Sequence, residues 1–135
     1  MNKKKNNKRI ILERRFVPKG TVIIEEGEAA FCAYLIQSGS VLVYRKKEDN
    51  KITELATLHA GEICGEMAII YDETTLRSAS VKTLQDCNLI LITRAALKDK
   101  LENSDPTVKA VAEMLVKRVR ETTDSVVKLK GSKEE

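Results

Sequence analysis

The chain has 135 residues and a mass of 15.1 kDa, one domain's worth of polypeptide, with no room for a second full domain. Hydrophobic residues make up 42% and charged residues 33%, too apolar for a disordered chain, and no apolar run approaches the roughly 18 residues of a membrane span. The net charge of +4 comes from the first residues: Lys3, Lys4, Lys5, Lys8, Arg9, Arg14 and Arg15 stand against Glu13 alone, so the remainder is net acidic. A basic arm of this kind suits nucleic acid or acidic lipid, but its plainer reading is a solvated terminus. With no tryptophan, the acidic body offers no stacking platform for single strands. Cys32, Cys64 and Cys87 are odd in number and form no CxxC pair. A reducing, cytoplasmic setting is therefore expected, and no signal-peptide core follows the basic start.

In chain order, RIILERRF and TVIIEE read as strands separated by a turn at Pro18-Lys19-Gly20, and Gly27 closes the second. AYLIQSGSVLVYRK reads as two strands in a tight hairpin at Ser38-Gly39. Glu48-Asp49-Asn50 makes the next turn, ITELATL the next strand, and His59-Ala60-Gly61 its end. VKTLQDCNLILIT gives a last strand pair turning at Gln85-Asp86. Strands of this spacing, with glycine turns, predict an all-β sandwich or barrel.

After Thr93 the period becomes helical. Leu97 and Leu101 lie four apart with Thr93 as N-cap, and Ser104-Asp105-Pro106 is a strong helix start. The helix from Pro106 to about Lys130 carries a seam at Val108, Ala112, Leu115, Val119, Thr122, Val126 and Leu129, and Gly131 is expected to end it. At roughly 25 residues it is about 37 Å long, longer than so small a barrel covers. A helix dimer is the expectation. The alternative is one helix packed back on its own barrel.

The stretch that carries chemistry is Gly61-Glu62-Ile63-Cys64-Gly65-Glu66-Met67-Ala68-Ile69-Ile70-Tyr71, followed by Asp72-Glu73-Thr74-Thr75-Leu76-Arg77-Ser78-Ala79-Ser80-Val81. A strand is expected to end at Gly65 and a short helical turn to begin at Glu66, exposing N–H groups that suit an anion. Arg77 has the planar fork that gives a phosphate two parallel hydrogen bonds, Ser78 adds a hydroxyl, and Glu66 is an acceptor for sugar hydroxyls. Together they outline a site for a small ligand with one phosphate and a ribose. The competing reading pairs Arg77 with Asp72 or Glu73 at the surface.

PKGTVIIEEGE, AYLIQSGSVLVYR, AGEICGEMA and RSASV, with Gly20, Gly27, Gly39, Gly61 and Gly65 at the turns, resemble the cyclic nucleotide-binding domain family over about residues 10–125. This is the module shared by the bacterial catabolite activator protein, kinase regulatory subunits and gated channels. The resemblance implies a mainly β fold, an eight-stranded jelly roll (double-stranded β-helix) with flanking helices and a long C-terminal helix. It implies a phosphate-binding cassette from about Gly65 to Ser80. In that cassette Glu66 would accept from the ribose 2′-hydroxyl and Arg77 would pair with the ring phosphate. Gly65, Met67 and Ala68 would offer backbone groups, Ser78 would reach phosphate or base beside Ala79, and Ile63 and Val81 would wall the pocket. A lid over the base would come from the region 111–120. Cys64 stands where the family often has phenylalanine, Leu76 stands where proline often precedes the arginine, and the interval from Glu66 to Arg77 is longer by about two residues than in kinase-type cassettes.

Other readings are thinner. Cysteine spacings of 32 and 23 do not match haem or cluster ligand runs, and each cysteine lies in an apolar strand, so core packing is favoured over redox sensing at Cys32 or Cys64. His59, the one histidine, sits in a turn; no catalytic residue, metal or cofactor is expected. The expected organisation is a basic arm at 1–9, a cyclic nucleotide-binding β-roll with short helices at 10–103, a lid or dimerisation helix at 104–130 and a tail at 131–135. Met1 favours an intact start, the end reads as a natural solvated tail, and no DNA-binding domain is expected within the chain. The function expected is a regulatory module binding a cyclic mononucleotide, cAMP more than cGMP. It would act as a homodimer and signal through its C-terminal helix to an unknown downstream protein. The alternative is a non-catalytic scaffold of the same fold that binds no nucleotide.

Overall fold

The computed structural model of the chain describes residues 11–71 and 75–134, with side chains through residue 122. The basic arm at 1–9, Asp72 and Glu73, and the seam side chains of Val126 and Leu129 lie outside the described residues. The strands are β1 Glu13–Val17, β2 Val22–Ile24, β3 Ala29–Ala30, β4 Cys32–Ser38, β5 Ser40–Lys46, β6 Ile52–His59, β7 Ile63–Cys64, β8 Thr75–Leu76, β9 Ser80–Thr83 and β10 Cys87–Thr93. The helices are α1 Met67–Ile70, α2 Arg94–Glu102 and α3 Pro106–Glu134.

The fold is mainly β, as expected, with ten strand segments among the described residues where a jelly roll of eight was expected. The count is raised by short segments such as β3, β7 and β8, two residues each and too short to show a period. One sheet runs β1-β10-β4-β7, a second β2-β9-β5-β6, and β3 pairs with β8 alone.

The hairpin expected at Ser38-Gly39 and the strand pair expected at Gln85-Asp86 do not pair. β4 and β5 flank Ser38-Gly39 yet belong to opposite sheets, and so do β9 and β10 around Gln85-Asp86. A glycine turn between two apolar runs looks the same in sequence whether the chain folds back or switches sheets. Here the two switch points pack on each other. Leu84 N–H donates to the Ser40 carbonyl (2.9 Å), and a β-carbon on Gly39, whose φ is +94°, would lie 2.6 Å from both the Asp86 carbonyl oxygen and the Cys87 sulfur. The one long hairpin is β5–β6, in register from Ser40↔His59 to Lys46↔Ile52, with Asn50 in the left-handed region at φ 67°.

Strand periodicity puts one face of each sheet inside. Ile36, Val41, Cys87 and Leu89 are fully enclosed, packed with Val17, Ile24, Tyr34, Cys64 and Val81. The Pro18–Gly20 turn is tied to this core by a buried threonine. Thr83 donates its hydroxyl to the Pro18 carbonyl (2.7 Å) and accepts from Thr21 N–H (2.9 Å).

The helix starts follow the sequence: Thr93 Oγ1 accepts from Ala96 N–H (3.0 Å) and Asp105 Oδ1 from Thr107 N–H (2.8 Å). The C-terminal end does not. α3 continues through Gly131 to Glu134, because an interior glycine only weakens a helix; ending one takes a left-handed residue and a change of hydrogen-bond partners. On α3, Val108, Val111, Met114, Leu115 and Val119 are exposed. The chain divides into two compact units, one spanning Ile10–Leu97 and one containing Lys98–Glu135. Among the described residues no helix is long and apolar enough to cross a membrane.

Gly39→Ala is expected to destabilise the fold by about 2 kcal/mol or more, since it combines a left-handed backbone with backbone contact at the sheet switch. The urea midpoint reads this directly, and an unchanged midpoint would contradict the packing described.

Candidate functional site

The cassette residues fall on the irregular path between the two sheets. β7 pairs with β4 (Tyr34↔Cys64, Leu35↔Ile63), so Gly65 emerges from an anchored edge. It turns there at φ +74°. Glu66 follows as the N-cap of α1, exposed and without a side-chain capping bond, and Met67 and Ala68 open the helix. On the return path, Arg77 continues the β3–β8 ladder: its N–H donates to the Glu28 carbonyl (2.8 Å) and its carbonyl accepts from Gly27 N–H (2.9 Å).

These two anchors bring Gly65 and Arg77 together. A β-carbon on residue 65 would lie 2.5 Å from Arg77 Nη1 and 3.1 Å from Ile24 Cδ1, so a side chain there would displace the guanidinium from its seat, and the φ of +74° favours glycine independently. Arg77 Nη2 donates to the Cys32 carbonyl (2.8 Å), and Nη1 makes a long contact with the Gly65 carbonyl (3.5 Å). The arginine is half-buried and joins no ion pair among the described residues. Its guanidinium has five N–H donors, more than the backbone carbonyls among the described residues engage.

The other expected site residues are spread around this pair. Ser78 is exposed and Ala79 half-buried. Val81 lies in the core on β9, whereas Ile63 on β7 is exposed. Glu66 and Arg77 act on the Cys64 thiol in opposite senses. Burial pushes that thiol up from 9.0 to about 12, Glu66 adds to the rise, and Arg77 opposes it. Tyr34, opposite Cys64, rises from 10.0 to about 12, first through burial and then through the neighbouring Cys32.

Several supporting residues escaped sequence reasoning. Arg45 Nε donates to the Ser78 carbonyl (2.8 Å), and Ser80 Oγ accepts from Glu26 N–H (2.9 Å). Arg94 Nη1 donates to the carbonyls of Ala68 (2.9 Å) and Tyr71 (2.8 Å). Only Arg94 left a trace in the sequence: it is a cation in the first turn of a helix, where the dipole disfavours one.

The model of the cyclic nucleotide-binding domain matches residues 14–104, over the roll and the cassette alike. This chain belongs to the cyclic nucleotide-binding domain family. It is 30% identical over 112 residues to the cAMP-activated global transcriptional regulator CRP of Haemophilus influenzae, covering 83% of this chain and 50% of that protein. It is 31% identical over 109 residues to the cyclic AMP receptor protein of Thermus thermophilus, covering 81% and 50%. The chain thus spans about half the length of the curated relatives it matches. Among solved structures it resembles the halfsite-occupied form of the EAL enzyme Bd1971, with a TM-score of 0.75 and 34% identity over 84% of this chain and 99% of that one.

The thiol shift has a consequence for stability. The folded state holds the Cys64 proton more tightly than the unfolded state does. Cys64 therefore contributes its full stabilisation below 9.0 and loses it as pH climbs toward about 12. Tyr34 acts in the same direction from 10.0 upward. The urea midpoint is expected to fall across that window, and less steeply in Cys64→Ala; equal slopes would refute the assignment to Cys64.

Proposed function

We propose that the chain is a non-catalytic, cytoplasmic regulatory module of bacterial type that binds a cyclic mononucleotide, cAMP in preference to cGMP, at the cassette. The observation that carries this reading is the half-buried Arg77 guanidinium, seated against glycine backbone and in no ion pair among the described residues. Arg77 pairs with the ring phosphate and Glu66 accepts from the ribose 2′-hydroxyl. Gly65, Met67 and Ala68 present backbone groups. Ser78 and Ala79 line the phosphate or base side, with Ile63 and Val81 as walls. The nucleotide is the ligand, and no resident metal or cofactor takes part. The preference for cAMP is supported by the similarity to relatives named for it.

Binding draws the cassette onto the phosphate and shifts the packing of α3, which passes the signal to a downstream protein. The exposed seam of Val108, Leu115 and Val119 supports a homodimer through α3.

Calorimetric titration with cAMP and cGMP tests the reading. Saturable binding is expected, tighter for cAMP. Arg77→Ala should weaken it by at least about tenfold, the worth of a charge-assisted hydrogen bond of about 1.5–3 kcal/mol. Heat-silent titrations with no thermal shift at millimolar nucleotide would favour a scaffold of the same fold. For the dimer, sedimentation should find two copies in the wild type and one in Leu115→Glu; a monomeric wild type would reject the seam.

A further inference from the structure

α1 is only four residues long, and a helix of one turn does not hold by itself in water. Its last carbonyls have no helical partners. Within the turn, Tyr71 N–H closes on the Met67 carbonyl (3.3 Å). The Ala68 and Tyr71 carbonyls are both met by a single atom from elsewhere in the chain, Arg94 Nη1, at 2.9 and 2.8 Å. Arg94 is the first residue of α2, directly after the Thr93 N-cap. A cation there opposes the dipole of its own helix, while at the carbonyl end of α1 it is favourable. The side chain is therefore placed against the interest of α2 and in the interest of α1.

We infer that Arg94 is a positioning residue: from the start of α2 it caps the carbonyl end of α1, so that the helical state of the cassette and the first turn of α2 are energetically linked. α1 packs against β4 and β10, with Ala68 and Ile70 buried, and β10 runs directly into α2. A change in α1 thus reaches α2 through the sheet and through the guanidinium, which bonds the helix carbonyls directly. The part this link plays in signalling rests on the nucleotide-binding reading. The link itself does not.

A double-mutant cycle read by amide hydrogen exchange tests the link without any nucleotide. Ile69→Gly loosens α1, and Arg94→Met removes the donors while keeping an apolar stem. With Arg94 present, Ile69→Gly should raise exchange at the Ala96 and Lys98 amides by about fivefold or more; in Arg94→Met it should change them by less than about twofold. Arg94→Lys, which keeps a charge but not the fork, should fall between. Equal rises in both backgrounds, or no rise in either, would overturn the inference. Should Ile69→Gly unfold the roll, Ile69→Ser, a poorer helix former than alanine but less disruptive than glycine, gives a milder perturbation and the same comparison decides. A chain that binds no cAMP in calorimetry would sink the nucleotide reading, while the coupling measured between Ile69 and Arg94 would stand or fall on its own.

Discussion

The guanidinium of Arg77 occupies space that a β-carbon on residue 65 would need. Two separate pieces of sheet meet in that contact. Gly65 is delivered by the β4–β7 edge, and Arg77 by the β3–β8 pair, whose ladder ends in the bonds between Arg77 and residues 27 and 28. Neither piece is more than a few residues long, and each alone would be marginal. Their convergence gives the cassette a fixed point, from which Glu66 and α1 lead away on one side and Ser78 on the other.

Away from that fixed point, side chains take over the work that ladders do elsewhere. Arg77, Arg45 and Arg94 each donate to main-chain carbonyls, of Cys32, Ser78, and Ala68 and Tyr71 respectively. Arginine suits this role because its planar head carries several donors in fixed directions on a long apolar stem. An irregular segment held this way keeps a definite shape with little regular structure. Its shape also depends on a few charged groups that an anion can compete for or complete.

Much of the fold was legible because strand alternation, glycine turns and N-caps are local. Thr93 caps the helix it was expected to cap, Asp105 caps α3 within the expected Ser104-Asp105-Pro106 start, and Glu48-Asp49-Asn50 does close a hairpin. The pairing of strands was less legible, since Ser38-Gly39 gives no sign of whether β4 and β5 lie side by side or in opposite sheets. The close approach of Gly39 to Cys87, far away in sequence, is what distinguishes the two, and it exists only once the chain is folded. In the site, Gly65, Glu66 and Arg77 stood out through their residue types and spacing. Arg45 stayed hidden because an exposed arginine on a strand looks like any solvated charge, and its partner is a carbonyl, which every residue has.

The sheet switches also order events as the chain is made. Among the described strands, β1 pairs only with β10, whose last residue is Thr93. While the polypeptide emerges from its N-terminus, β5 and β6 can zip together at once, but β1 waits with an unpaired edge until Cys87–Thr93 has been synthesised. The first strand out is thus among the last to have its partner available. A ribosome halted before β10 would already hold every strand of the β2-β9-β5-β6 sheet, while β1 and one edge of β4 would still lack their partner.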